Sequence, residues 1–281
     1  MPDWRPILRS RDDGNPRIMG ILNITPDSFH SDSRYNSVEL ATESAISMSD
    51  EGAEWIDIGG ESTRPGATEV DPQQEILRVV PVIESIRDEL PEIGISVDTR
   101  RPSVALEALE SGANMVNDVS SIDDPKMVEV VIEYDCPICI MHMNGSPKNM
   151  QENPSYDDVV REVREALANS ASILNDNGVD NSRIIGDPGI GFGKLLDHNL
   201  SLLKAGRDVL PSEEMGLMWG VSRKSMFSDL LGRKTTDKRL SGTLGIASQA
   251  RRLGVDIIRA VSYTHLTLPR SAGGGAGGGG A

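Results

Sequence analysis

The chain has 281 residues, 38% of them hydrophobic, and that length suits one large α/β domain, since barrels of this type commonly occupy ~250 residues as a single unit. A formal charge of −15 and a pI near 4.7 argue against a nucleic-acid partner or an anionic membrane surface, both of which need a basic face. No apolar run approaches the ~18 residues that span a bilayer, and segment 1–5 lacks the apolar core of a signal peptide, so the expected location is the cytoplasm, with no membrane partner.

Residues 18–24 form the first expected strand, and a polar loop to Asn36 precedes a helix over 37–51. Residues 54–60 give the second strand, and a long polar loop leads to a helix over 72–90. The third strand is 94–99, and Arg-Pro opens the following helix with proline in the favourable early position. The fourth strand is 115–120 and the fifth 138–143; a long helix beginning near Tyr156 precedes the sixth at 183–187. The seventh is 216–222 and the eighth 256–260. Strands separated by helical patterns imply parallel pairing through right-handed crossovers. Eight such units predict a closed (β/α)8 TIM barrel over residues 1–260 rather than an open sheet.

The two cysteines form Cys136-Pro-Ile-Cys139, a spacing shared with redox pairs and half zinc sites. They fall on an expected strand, where residues three apart point to opposite faces, and no second pair exists to complete a tetrahedral site. Packing is the better reading.

Polar residues gather at the strand ends, where barrels of this class carry their sites. Asn23, Asp98, Asn117, Asp118, Asp187 and Arg259 end strands; Thr63 and Arg64 follow the second, Ser222, Arg223 and Lys224 follow the seventh, and His142 lies near the end of the fifth. Strand ends that merely meet solvent would not put Asp and Asn inside apolar runs such as Ile-Ser-Val-Asp-Thr and Met-Val-Asn-Asp-Val. The glycine-rich 187–194 segment is not a Walker loop, because Pro188 sits where the first glycine is required. There is no Gly-x-Ser-x-Gly nucleophile elbow, and His142 reads as a hydrogen-bonded structural residue.

Seven motifs, in chain order, resemble the successive rim motifs of the dihydropteroate synthase family. They are Asn-Ile-Thr-Pro-Asp-Ser-Phe (23–29), Asp-Ile-Gly-Gly-Glu-Ser-Thr-Arg-Pro-Gly-Ala (57–67), Ser-Val-Asp-Thr (96–99), Asn-Met-Val-Asn-Asp-Val (114–119), Met-His-Met-Asn-Gly (141–145), Asp-Pro-Gly-Ile-Gly-Phe-Gly-Lys (187–194) and Gly-Val-Ser-Arg-Lys-Ser (220–225). The resemblance implies condensation of 6-hydroxymethyl-7,8-dihydropterin diphosphate with 4-aminobenzoate to give dihydropteroate and pyrophosphate. The residue types suit that chemistry. A pterin presents adjacent N–H donors that one carboxylate accepts side by side, and Asp187 matches the family residue in that role. Asn117 and Asp98 match further pterin contacts, and Lys224 the lysine at the ring carbonyl.

A diphosphate leaving group needs its charge neutralised, for which Mg²⁺ is suited; Asn23 matches the family's metal contact, with the diphosphate supplying further oxygens. Thr63, Arg64 and Arg259 match the groups that hold the anion. Asn23, Arg64, Asp98, Lys224 and Arg259 are therefore the expected catalytic set. Loops 25–36 and 61–71 are long enough to act as lids, and Phe29, Pro65, Phe192, Lys224 and Ser225 would wall the aminobenzoate pocket. The first loop reads Asp-Ser-Phe-His-Ser-Asp-Ser-Arg-Tyr where the family carries Asp-Ser-Phe-Ser-Asp-Gly-Gly. Two other readings share these residues: a pterin-binding folate–corrinoid methyltransferase and a pterin-binding fragment impaired in catalysis.

The end of the chain departs from the family. Val261 stands where relatives carry histidine, and His265 lacks its own strand context to replace it. Segment 261–270 resembles a translated sequencing adaptor and is followed by seven glycines in 271–281, so 261–281 is expected to be a non-native or disordered tail. Without the final helix, the apolar flanks of the first and eighth strands are expected to be exposed and stability low. The family also implies a possible homodimer.

Overall fold

The computed structural model describes residues 4–24, 34–62, 69–145, 150, 154–222, 224 and 240–260. Eight parallel strands close into a barrel in sequence order: β1 Arg17–Asn23, β2 Trp55–Gly59, β3 Gly94–Asp98, β4 Met115–Asp118, β5 Ile138–Met141, β6 Ile184–Asp187, β7 Gly216–Gly220 and β8 Ile257–Ala260. Residues Arg17 to Gly20 of β1 pair with Ile257 to Ala260 of β8 and close the ring. Among the described residues the outer helices are α1 Arg34–Asp50, α2 Pro72–Glu89, α3 Pro102–Glu110, α4 Lys126–Glu133, α5 Val159–Asp176, α6 Leu196–Ala205 and α7 Leu240–Ala250. The (β/α)8 architecture expected from the alternating pattern is present.

The period-2 alternation of each strand separates two apolar clusters. One fills the shell between barrel and helices and includes Ile56, Ile58, Ile95, Val97, Ile138, Ile140, Leu217 and Ile258. The other plugs the barrel interior with Met19, Trp55, Met115, Cys139, Ile185, Met218 and Ile257, capped by Leu8 from the N-terminal segment. A side chain at Gly94 would begin 2.5 Å from the Trp55 ring, so β3 gives up its side chain there to admit the indole. The indole Nε1 donates to the Ile7 carbonyl at 3.0 Å, which fastens the plug to the barrel. Cys139 lies in the interior cluster and Cys136 in the shell; both are free and buried, which is the packing role expected of them.

Several boundaries differ from the sequence reading. The first helix begins at Arg34 rather than residue 37, so the preceding loop is shorter than expected. Strand β4 stops at Asp118 because that carboxylate turns the chain: Oδ1 accepts from the Ser120 N–H and hydroxyl, and Oδ2 from the Ile122 N–H. His142 lies one residue past β5, although its N–H still donates to the Asp187 carbonyl at 3.0 Å. The fifth helix starts at Val159, not near Tyr156, because Asp158 caps it by accepting from the N–H groups of Val160 and Arg161. The expected exposure of the outer flanks of β1 and β8 is not found: Ile18, Leu22, Ile258 and Ala260 are all buried. Met48 of α1 packs tightly on Gly20, while Ile246 and Ala247 of α7 pack on the shell cluster. Residues 261–281, including Val261 and His265, lie outside the described residues.

Candidate active site

Toward the C-terminal end of the barrel the same alternation turns inward-facing positions polar. Asn23, Asp98 and Asp187 are the last residues of β1, β3 and β6, and Asn117 is the penultimate residue of β4. The register places Asn23 beside Gly59, Gly59 beside Asp98, and Asp98 beside Asn117. Gly59 keeps this rim open. A Cβ there would lie 3.6 Å from Asn23 Oδ1 and 3.7 Å from Asp98 Oδ2, and one at Gly220 would lie 3.5 Å from Asp187 Oδ2.

Arg259 links two of the carboxylates. Its Nε donates to Asp57 Oδ2 at 2.5 Å, and its Nη2 donates to Asp98 Oδ2 at 2.6 Å. Asn117 Nδ2 donates to the same Asp57 oxygen at 3.2 Å. Asp57 is fully buried, and its Oδ1 has no hydrogen-bond partner among the described residues. Burial alone would weaken the Arg259 charge, but Asp57 and Asp98 outweigh it and hold the guanidinium pKa above its ordinary value. Burial pushes the Asp98 carboxyl up to about 7; Arg259 opposes that shift, and the Asp57 charge adds to it.

The opposite side of the rim carries Asp187 and Lys224. Asp187 Oδ1 accepts from the Gly189 N–H at 2.7 Å, and burial raises its pKa. Burial lowers the Lys224 ammonium to about 8, with Asp187 acting in the other direction. Lys224 Nζ sits 4.0 Å from the centroid of the Phe192 ring. Next to them, Lys194 Nζ meets His142 Nδ1 at 2.9 Å, and burial followed by the Lys194 charge depresses the imidazole pKa to about 3. His142 is thus neutral at physiological pH.

Asn23, Asp98, Asn117, Asp187, Phe192, Lys224 and Arg259 therefore all lie at the C-terminal rim. Phe29, Thr63, Arg64, Pro65 and Ser225, together with Arg223, lie outside the described residues. The described ends of the loop holding Thr63 to Pro65 are pinned by Arg101. It donates to Glu61 Oε2 at 2.8 Å and to the Val70 carbonyl at 2.7 Å, and pairs with Glu75. A cavity of about 490 Å³ opens at this rim beside Asp98, Met141 and His142 and extends outward to Glu61, Ser121 and Ser170.

Sequence reasoning missed Asp57 and Lys194. The signal for Asp57 was available: it interrupts the apolar run Trp-Ile-Asp-Ile-Gly just as Asp98 interrupts Ile-Ser-Val-Asp. Lys194 offered no comparable signal, because a lysine after a glycine-rich turn reads as solvated.

Inward-facing carboxylates beside open glycine positions can accept N–H donors from a flat heteroaromatic ring, and the adjacent lysine and arginine can meet its oxygen and an attached anion. That donor and acceptor set is the one a pterin requires. The sequence profile of the pterin binding enzyme family matches residues 19–261, and the chain belongs to that family. Within it the chain falls among the dihydropteroate synthases, transferases that join a pterin to an arylamine. It is 44% identical over 250 residues to the dihydropteroate synthase of Escherichia coli K12, covering 89% of this chain and 88% of that one. The Yersinia pestis dihydropteroate synthase, solved as a sulfonamide drug complex, superposes with a TM-score of 0.83 at 39% identity, covering 91% of this chain and 92% of that one. The Xanthomonas albilineans enzyme, solved with 4-aminobenzoic acid, gives 0.83 at 36% identity over 90% of this chain and 89% of that one.

Proposed function

We propose that the rim formed by Asp98, Asn117, Asp187, Lys224 and Arg259 condenses 6-hydroxymethyl-7,8-dihydropterin diphosphate with 4-aminobenzoate, releasing 7,8-dihydropteroate and pyrophosphate. The observation that carries this reading is the ring of inward-facing carboxylates and amides beside Gly59 and Gly220. Asp187 accepts the adjacent N–H donors of the pterin pyrimidine, and Lys224 meets the ring carbonyl. Asn117 and Asp98 hold the remaining polar edge. Arg259, with its charge secured by Asp57, faces the diphosphate together with Thr63 and Arg64.

In the reaction the bond between the pterin methylene carbon and the diphosphate oxygen breaks, and its electron pair leaves with pyrophosphate. The arylamine nitrogen attacks the same carbon and loses one proton, which the released pyrophosphate takes up. The buried carboxylates favour positive charge developing on the dihydropterin as the leaving group departs. Nothing in this sequence requires a covalent enzyme intermediate.

Asn23 offers a hard amide oxygen across Gly59 from Asp98, which suits a hydrated magnesium ion bound mainly through substrate phosphates. Such an ion would neutralise charge on the leaving diphosphate. Among the described residues no group of three His, Cys, Asp or Glu side chains is placed to hold a metal ion. Phe29, Pro65, Phe192 and Ser225 wall the aminobenzoate pocket in this reading. The family likeness supports a homodimer, to be checked by sedimentation equilibrium, and a cytoplasmic location. No helix among the described residues is long and apolar enough to cross a membrane.

The named relatives favour this reaction over methyl transfer to a corrinoid. The test is pyrophosphate release from the pterin diphosphate with Mg²⁺, with and without 4-aminobenzoate. Aminobenzoate-dependent release is expected; pterin binding with no release would select the catalytically impaired reading instead.

A further inference from the structure

Lys194 is one of the most deeply buried cations among the described residues, at 5% exposure, and no step of the condensation uses it. Its surroundings are unusual for an ammonium group. Nζ reaches His142 Nδ1 at 2.9 Å, the Phe192 carbonyl at 2.9 Å and the His142 carbonyl at 3.3 Å. An ammonium has three protons and no acceptor, so these three partners use its full donor capacity. None of them is a carboxylate. The lysine therefore bridges two chain segments, the residues after β5 and the turn after β6.

That turn can approach so closely only because of glycine. Gly189 has φ +67°, and a Cβ there would lie 1.8 Å from the His142 carbonyl oxygen; Gly193 has φ +61°, and a Cβ there would lie 2.8 Å from the Asn144 carbonyl oxygen. The turn is held at three further points: Ile190 is buried in the shell cluster, Asn199 Oδ1 accepts from the Gly191 N–H at 2.7 Å, and the Tyr156 hydroxyl donates to the Gly193 carbonyl at 2.9 Å. Lys194 is the tie that reaches the residues after β5 through the His142 side chain. The turn also carries two groups that face the site: the Gly189 N–H on Asp187, and the Phe192 ring beneath Lys224.

We infer that Lys194 is a positioning residue: through the Phe192 carbonyl and His142 it fixes the glycine turn, and thereby the Phe192 wall that receives the second, aromatic amine substrate. This rests on the proposed condensation for its kinetic consequence but not for its structural one. Burial draws the Lys194 pKa down to about 7.

The test compares Lys194→Met, Phe192→Leu and the double variant in the full chain. Lys194→Met is expected to raise the KM for 4-aminobenzoate about tenfold or more, with kcat/KM for the pterin diphosphate within about threefold of the parent. Combined with Phe192→Leu it should add little, because both changes remove the same wall. Additive effects, or equal losses for both substrates, overturn the inference. If Lys194→Met does not fold, the His142 pair decides. His142→Asn keeps an acceptor near the Nδ1 position and should retain the parent KM more closely than His142→Leu; equal KM values for the two variants overturn the inference.

Amide exchange separates this inference from the reaction itself. The Phe192 N–H donates to the Gly189 carbonyl at 3.0 Å and should exchange about tenfold faster in Lys194→Met. A parent chain with no turnover but with this exchange response would fail the proposed reaction and keep the positioning role. Unchanged exchange would remove the positioning role.

Discussion

The two ends of this barrel use charge in opposite ways. At the N-terminal end, Asp256 is buried and fully matched: it pairs with Arg207 at 2.6 Å and accepts from the N–H groups of Ser10 and Leu217, both at 2.9 Å. Below it, Trp4, Leu8 and Trp55 close the barrel with apolar surface. At the C-terminal end, Asp57 keeps an oxygen with no described partner, Asp98 shares Arg259 with Asp57, and burial raises the Asp187 carboxyl pKa. Trp4 Nε1 is also buried without a described partner, so the contrast lies in the charges: a matched carboxylate at the N-terminal end, and buried carboxylates around the Arg259 guanidinium at the end that carries the proposed site.

The sharpest way to break that division is at its apolar end. Trp55→Ala removes the largest interior side chain and should lower stability by about 3–5 kcal/mol in urea unfolding, while pterin affinity measured in the folded state stays within a few-fold. A similar energy should appear at the other end as binding. Asp187→Ala is expected to weaken pterin affinity by about 10²–10³-fold in calorimetry, with little loss of melting temperature. Asp57→Asn should act less strongly, because Arg259 keeps Asp98. A fall of about 10–100-fold in kcat/KM for the pterin substrate is expected, and an unchanged value would remove Asp57 from the positioning of Arg259.

Acidity sharpens the comparison further. Asp98 offers both oxygens as strong acceptors only when ionised, a fraction that grows as pH rises through about 7, and Lys224 loses its charge as pH rises through about 8. The profile of kcat/KM for the pterin substrate should therefore peak between those values, and Asp98→Asn should remove the lower limb. Stability runs the other way. The folded pKa of Asp98 lies above the ordinary value of 3.8, so its contribution is fully present below that value and is lost as pH rises through about 7. The smallest effect concerns the cysteines. Burial pushes the Cys136 thiol up to about 12 and raises Cys139 well above its ordinary value, so thiol reagents should modify neither until the chain unfolds.

The eightfold alternation and most strand positions were legible from periodicity, because buried parallel strands are continuous apolar runs and their ends are marked by polar residues. The ends themselves were less so. Asp118 stops β4 by hydrogen bonds to residues two and four positions on, a local competition that hydropathy does not register. At the site, Asp98, Asn117, Asp187, Lys224 and Arg259 were found by their place at strand ends and by motif. Asp57 sits one inward position earlier on its strand, and Lys194 works through the His142 ring and carbonyl on a distant segment as well as the Phe192 carbonyl of its own turn. Both depend on barrel closure, which brings β8 beside β1 and the turn after β6 against the end of β5.

The central claim is that the charged end of the barrel holds a pterin. It is tested most directly by calorimetric titration of the full chain and of Asp187→Asn with 6-hydroxymethylpterin diphosphate. The account predicts one-to-one binding to the parent chain and a loss of about 10²-fold or more in the variant at an unchanged melting temperature. Equal affinity in the two proteins would contradict it.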